Sequence, residues 1–137
     1  MYQLTKRGLN MKNIAAFLAG IGVSILFAFA PALADGDATQ TLVRITANLM
    51  HFPSDDDKAQ LQAIIDSDET TDGEATIALA LVNFQHQVSP RDAERLLEVQ
   101  ADDSTPQVER DLAGILLRTN HSPSDADKTA LAAMTAN

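Results

Sequence analysis

The chain has 137 residues, with 10 Lys and Arg against 19 Asp and Glu and no Cys, which gives a formal net charge of −9. This acidity opposes binding to DNA, RNA and anionic lipid surfaces, because those partners are themselves negatively charged. The lack of Cys excludes disulfides, thiolate metal sites and thiol catalysis, so stability must come from packing.

Residues 1–34 have the pattern of a secretory signal peptide. A basic start and an apolar run lead to Ala32-Leu33-Ala34, which offers small residues where a signal peptidase reads them. We expect cleavage after Ala34, with Met11 as an alternative start, in a periplasmic or secreted bacterial protein that has no membrane attachment. An uncleaved anchor is the alternative, because the apolar run nears the length that spans a bilayer. Cleavage leaves 7 Lys and Arg against 19 Asp and Glu, a net charge of −12.

One skeleton, His-x-x-Ser-x-x-Asp-x-x-x-Leu, occurs three times at an interval of 35 residues. A fixed period of this length is typical of helical-repeat proteins. It divides the mature chain into three units, 35–69, 70–104 and 105–137. The skeleton residues are His51, Ser54, Asp57 and Leu61, then His86, Ser89, Asp92 and Leu96, then His121, Ser124, Asp127 and Leu131.

Each unit is predicted to contain two helices. In the middle unit the first helix starts with a capping box, Thr71 to Glu74, and continues through residues 75–84, where apolar residues share one face. The second helix starts at the recurring Ser, which can accept a hydrogen bond from the third helical N–H. The recurring Asp lies in the first turn of this helix, where its negative charge interacts favourably with the positive end of the helix dipole. The recurring Leu begins an apolar stripe that we expect to dock onto the first helix.

The recurring His is predicted in the last turn or at the C-cap of the first helix, where an imidazole can donate to free carbonyl groups. The alternatives are a pH-responsive role, because His titrates near neutrality, and a shared metal site. Stacked hairpins would hold equivalent positions about 10 Å apart, which disfavours one ion bound by all three side chains.

Acidic loop residues offer a second candidate site, for Ca²⁺. The best candidates are Asp66, Asp68, Glu69 and Asp72, although no EF-hand is complete, since its twelfth position would be Leu79 instead of Glu. The preferred interpretation is that these carboxylates cap helices and solubilise the surface. A calcium-binding or pH-responsive accessory protein is therefore the alternative function.

Catalytic motifs are lacking. Each turn holds a Ser and a His, but the Ser is expected to be an N-cap, and no G-x-S-x-G, H-E-x-x-H, phosphate-binding loop or dinucleotide fingerprint occurs. We expect no enzymatic activity and no cofactor, with a small hydrolase as the remaining alternative.

The two-helix unit of about 35 residues resembles the tetratricopeptide and HEAT-like classes of α-solenoid, and residues 104–117, STPQVERDLAGILL, are similar to the start of a HEAT-type helix. The resemblance implies an all-α fold of three hairpins stacked as a short right-handed α-solenoid. It also implies a scaffold that binds a protein partner, and it carries over no functional residue. The signal-peptide pattern would place this scaffold in the bacterial envelope or outside the cell. An open stack would end in an apolar flank for a partner or a second copy. That flank would consist of Ile115, Leu116, Leu131 and Met134.

Overall fold

A computed structural model describes residues 35–136, so the predicted leader lies outside the described residues. Within them the chain is all-helical, with no strand, which confirms the all-α part of the predicted fold. No helix in this range is long and apolar enough to cross a membrane. The helices are α1 (Asp35–Ala47), α2 (Asp55–Ile65), α3 (Asp72–Val82), α4 (Pro90–Ala101), α5 (Gln107–Arg118) and α6 (Asp125–Met134).

The recurring Ser residues are the N-caps of α2, α4 and α6. Each Ser hydroxyl accepts a hydrogen bond from the backbone N–H of the recurring Asp and donates one to the carboxylate of the same Asp. The N–H bonds are 3.1, 3.2 and 3.1 Å long, and the hydroxyl bonds are each 2.7 Å long. At α3 the capping box of Thr71 and Glu74 is present. The Ser and Asp pairs that start α2, α4 and α6 are Ser54 with Asp57, Ser89 with Asp92, and Ser124 with Asp127.

The helices form two layers. In the inner layer α1, α3 and α5 contact one another, and in the outer layer α2, α4 and α6 pack around them. Each outer helix makes its most extensive contacts with the next inner helix, α2 with α3 and α4 with α5, rather than with the helix that precedes it. The last outer helix, α6, packs in the same way against α1. The described chain is therefore closed into a ring.

This closure corrects two expectations from the sequence. An open solenoid would hold its first and last helices apart, whereas here they are in contact. The apolar flank predicted to receive a partner is also absent as an exposed surface: Ile115, Leu116 and Leu131 are at most 1% exposed, and Met134 packs half-buried against the core. The physical reason is the closure of the ring: α6 packs onto α1, and α5 lies in the inner layer in contact with α1, α3 and α4.

The core is built from corresponding positions of the helices, 35 residues apart. The inner helices contribute one layer of aliphatic side chains and the outer helices another, and all six side chains are fully buried. Burying side chains of this size is the main source of stability in a chain without disulfides. They are Leu42, Ile77 and Leu112 on the inner helices, and Leu61, Leu96 and Leu131 on the outer helices.

The N-terminal ends of the inner helices meet in a buried polar cluster. The Thr39 hydroxyl donates to Glu74 Oε1 over 2.5 Å, and the Thr71 hydroxyl donates to Glu109 Oε2 over 3.0 Å. Glu74 and Glu109 are each only 2% exposed. Burial raises the pKa of Glu109, the Thr71 hydrogen bond opposes this rise, and the Glu74 charge adds to it. A Cβ at Gly73 would lie 2.0 Å from Glu109 Oε2, so a side chain at this position would displace the Glu109 carboxylate.

We expect Leu112→Ala to lower the free energy of unfolding by about 2–5 kcal/mol, because the substitution leaves a cavity in the inner layer. Urea unfolding followed by circular dichroism measures this change. Leu97→Ala is the matched control, since Leu97 is 54% exposed, and it should change stability by less than about 0.5 kcal/mol. Equal losses in the two variants would contradict the assigned core.

We expect Glu109→Gln to stabilise the protein at neutral pH and to have little effect in acid. The raised pKa means that the folded state tolerates the protonated group better than the charged one. The contribution of Glu109 to stability is therefore present below the pKa of a free Glu, about 4.3, and is lost as pH rises through the raised value. Urea midpoints at pH 3.5 and 7 measure the difference, and Glu94→Gln on the exposed face of α4 is the control. A gain of equal size at both pH values would contradict the assignment to Glu109 ionisation.

Candidate metal centre

The three recurring His residues lie in the loops that connect each inner helix to the outer helix after it. His51 follows α1, His86 follows α3 and His121 follows α5, each a few residues beyond the end of the helix. The C-caps of α3 and α5 are Asn83 and Thr119. The expectation that the His residues cap the inner helices is therefore corrected, because the chain has already left the helix before it reaches them.

Each His has a left-handed backbone conformation, with φ of 65° at His51, 70° at His86 and 65° at His121. These are the only positive-φ residues other than glycine in the described chain. In two of the loops the residue after His donates its N–H to the carbonyl of the residue before it, over 2.7 Å at His51 and 2.8 Å at His121, which forms a tight γ-turn. This conformation costs a residue with a side chain about 1–2 kcal/mol.

The backbones of the three His residues are joined in a cycle of hydrogen bonds. The N–H of His51 donates to the carbonyl of His121 over 2.6 Å, that of His86 to His51 over 2.7 Å, and that of His121 to His86 over 2.5 Å. Every His thus donates once and accepts once within the cycle. The cycle fixes the three loops against one another with nearly threefold symmetry.

The imidazole rings cluster above this cycle. The ring centroids are separated by 5.3, 5.1 and 4.8 Å, and the ring planes are nearly perpendicular, at 87°, 89° and 90°. One nitrogen of each ring lies within 4.8 Å of a nitrogen of the other two, and all three residues are exposed. The separation of about 10 Å expected for a linear stack is therefore wrong, because the closed ring brings the three loops to one point.

This arrangement has the chemistry of a three-imidazole metal site. Two imidazole nitrogens on one tetrahedral Zn²⁺, each about 2 Å from the ion, are about 3.4 Å apart, so small rotations of these exposed side chains bring the nitrogens into range. Three neutral nitrogen ligands suit Zn, Cu, Fe and Ni better than Ca or Mg, which take oxygen ligands. The exposed side of the cluster leaves further coordination positions open.

The neighbouring Asn120 fixes the orientation of one ring. Its Oδ1 contacts Nδ1 of His121. Because an amide oxygen only accepts hydrogen bonds, a hydrogen bond here requires the tautomer with the proton on Nδ1. The lone pair is then on Nε2, the other ring nitrogen. Outer hydrogen bonds of this kind set the tautomer and raise the basicity of metal-binding His residues.

The fold also favours positive charge at this end of the molecule. The N-terminal ends of the inner helices meet at Thr39, Glu74 and Glu109, and their C-terminal ends lead to the His loops, so the three helices run in parallel. The C-terminal end of a helix dipole is negative and stabilises a nearby cation. Three such ends are therefore directed toward the cluster.

Each His loop is closed by a contact between its inner helix and the recurring Asp that caps the outer helix. In the third loop Arg118 Nε donates to Asp127 over 2.9 Å, and the hydrogen bond from Arg118 is the main reason that the pKa of Asp127 lies below its ordinary value. The corresponding contacts are from Arg44 Nη1 to Asp57 over 3.4 Å and from Asn83 Nδ2 to Asp92 over 3.3 Å. The capping Asp residues thus also hold the loops that carry the His residues.

The acidic residues that were the candidates for calcium do not converge in the described structure. Asp66 is the C-cap of α2 and accepts a hydrogen bond from Gln62, while Asp72 begins α3. Among the described residues, the His cluster is the one group of three or more His, Asp or Glu side chains that are close enough to share an ion. Asp66, Asp68, Glu69 and Asp72 therefore form no common site here.

Sequence reasoning identified the three His residues but did not bring them together, and it did not single out Asn120. The sequence signal that could have predicted the cluster is the presence of three units, each with one His. When three units carry the same side chain at the same register, closing them into a ring places three copies of that side chain around one axis. An arrangement with twofold symmetry, or an open stack, would not place three copies around one axis.

Comparisons of the chain with protein-family models, with curated proteins and with solved structures find no match.

We expect His86→Gly to be more stable than His86→Ala by about 1 kcal/mol in the absence of metal, because glycine adopts a φ of 70° without the clash of a Cβ. Both variants lack the imidazole, so the difference reports on the backbone alone. Urea unfolding in the presence of a chelator measures it. The control pair, Glu94→Gly and Glu94→Ala within α4, should show the opposite order, since glycine weakens a helix. The same order at both positions would contradict the left-handed conformation.

Proposed function

We propose that this protein binds one first-row transition-metal ion through His51, His86 and His121. The observation that supports the proposal is the convergence of three exposed imidazoles, with ligand nitrogens within 4.8 Å of one another, on three strained loops. Glycine would relieve the strain at each position. Because the rings are exposed, burial in the core gives no reason for an imidazole at these positions, whereas metal coordination would.

The proposed role is binding without catalysis. Three protein nitrogens hold the ion on one side, and solvent, or a ligand from another molecule, occupies the open side. Such a site suits a protein that stores, transfers or presents a metal ion, because the ion is accessible for exchange. Bound metal also connects the three loops and should stabilise the fold, since the unfolded chain does not hold the ligands together.

We further propose that the three helix pairs are copies of one 35-residue unit, with boundaries 35–69, 70–104 and 105–137. Support comes from features that recur at this interval: the Ser N-cap with its Asp, the contact that closes the loop, and the left-handed His. Export to the periplasm or the cell exterior is a proposal that rests on the composition of residues 1–34.

A protein-interaction role is the second proposal. The large hydrophobic residues exposed in the described chain are Met50 at 71%, Phe52 at 61% and Leu97 at 54%. Met50 and Phe52 flank His51, so a partner that contacts the metal centre would meet an apolar surface on that side. This surface replaces the C-terminal flank expected from the sequence.

We expect metal binding to raise the melting temperature of the protein by roughly 10 °C when the free Zn²⁺ or Cu²⁺ concentration is about 100 times the dissociation constant. His86→Ala removes one of three ligands and should lower the affinity by more than the roughly 10–100-fold associated with loss of an outer hydrogen bond to a ligand. Calorimetric titration and thermal unfolding measure the two effects, and the stoichiometry should be one ion per chain.

The matched control is the variant that combines Asp66→Asn, Asp68→Asn and Asp72→Asn, which changes the acidic loop and leaves the His cluster intact. It should bind metal as the wild type does. If this variant loses the metal while His86→Ala retains it, the ion is held by the acidic loop and the proposal is wrong.

A further inference from the structure

The middle helix pair has an open groove of about 750 Å³ between the C-terminal half of α3 and the start of α4. Its lining combines partly buried aliphatic side chains with charged side chains of α4. The aliphatic residues are Leu79, Val82 and Val88, and the charged residues are Arg91, Asp92 and Arg95. The groove therefore offers one carboxylate and two guanidinium groups beside an apolar surface.

In the other two units an arginine of the inner helix contacts the capping Asp at this place. In the third unit Arg118 donates two hydrogen bonds to Asp127 Oδ1, from Nε over 2.9 Å and from Nη2 over 2.5 Å. In the first unit Arg44 Nη1 lies 3.4 Å from Asp57 Oδ1. The residues of the middle unit that correspond to these two arginines are Leu79 and Asn83. Among the three described helix pairs, the middle one therefore has no inner-helix guanidinium against its capping Asp.

One oxygen of this Asp is left without a hydrogen-bond donor. Asp92 is only 3% exposed, and it lines the groove. Its Oδ2 accepts hydrogen bonds from the Ser89 hydroxyl over 2.7 Å and from Asn83 Nδ2 over 3.3 Å. Its Oδ1 accepts none in the described structure, and Arg95 Nη1 lies 4.0 Å from it, which is too long for a hydrogen bond. A nearly buried carboxylate oxygen gains free energy from a charged donor, and the groove gives such a donor access.

We propose that this groove binds a small molecule that carries both a guanidinium group and a carboxylate, of which free arginine is the simplest example. The ligand guanidinium takes the place beside Asp92 that Arg118 takes beside Asp127 in the third unit. The aliphatic part of the ligand covers the apolar wall, and its carboxylate pairs with the two arginines of α4, since a guanidinium matches a carboxylate in shape and charge.

Both charges of the ligand are required. A ligand with a guanidinium alone would be repelled by Arg91 and Arg95, and a ligand with a carboxylate alone would be repelled by Asp92. None of the three His residues lines the groove, so this inference is independent of the proposed metal site.

The test fills the groove with an arginine of the chain itself. Asn83→Arg introduces into the middle unit the residue that the third unit has at the corresponding position. The matched control, Asn48→Arg, makes the same substitution at the corresponding position of the first unit. Both positions are exposed, so both variants should fold, which circular dichroism checks. NMR titration measures the binding of L-arginine, of citrulline, in which a neutral urea group replaces the guanidinium, and of argininamide, which lacks the carboxylate.

We expect Asn83→Arg to weaken L-arginine binding at least about tenfold, because its guanidinium competes for Asp92, and Asn48→Arg to change it by less than about twofold. Citrulline should bind the wild type at least about tenfold more weakly than L-arginine, since it lacks the charged donor. If the wild type does not bind L-arginine, if citrulline binds equally well, or if Asn83→Arg binds L-arginine as the wild type does, the inference is overturned.

A second pair of variants tests the carboxylate contact. Arg91→Gln should weaken the binding of L-arginine and leave the binding of argininamide no weaker than in the wild type, because only the first ligand has a carboxylate to pair with this side chain. Lys128→Gln, an exposed position of α6 outside the groove, removes the same charge and should affect neither ligand. Equal losses for the two ligands in Arg91→Gln would contradict the requirement for a carboxylate.

Discussion

The cycle of backbone hydrogen bonds among His51, His86 and His121 is the constraint on which the rest of the structure depends. It requires each loop to approach the other two closely, and the left-handed conformation of each His is the means by which the chain turns there. With the three loops fixed at one end, the inner helices run in parallel, and each outer helix is directed into contact with the next inner helix instead of the one before it. Closure of α6 onto α1 follows from the same geometry repeated a third time.

The two ends of the inner bundle are chemically opposite. At the N-terminal end the carboxylates of Glu74 and Glu109 are buried and bonded to Thr hydroxyls, so they are part of the interior. At the C-terminal end the imidazoles are exposed, and contacts such as that between Arg118 and Asp127 hold the loops beneath them. Both ends suit the direction of the helix dipoles, which favours negative charge at the first and positive charge at the second. Only the second is accessible to a ligand from solution.

Local structure could be predicted from the sequence, but the global arrangement could not. The Ser and Asp pairs and the capping box at Thr71 are signals that act within four residues, so their spacing is sufficient to place the helix starts. Whether α2 packs mainly on α1 or on α3 depends on how side chains fit between helices far apart in sequence, and the same apolar stripe at Leu61 is compatible with either. An open stack and a closed ring therefore share one sequence pattern. The site depends on that choice, because only the ring brings the three His side chains within reach of one ion.

The packing of α6 against α1 also bears on how this architecture can change over generations. An open helical array tolerates the gain or loss of a unit, because each unit contacts only its neighbours and the array simply becomes longer or shorter. A ring closed by three mutual hydrogen bonds has no free end at which to grow. A fourth helix pair would have to break the cycle at the His loops, and loss of one pair would leave two loops without their partners. Duplication of one unit, which readily lengthens solenoids, would here require a new closure that includes a fourth His loop.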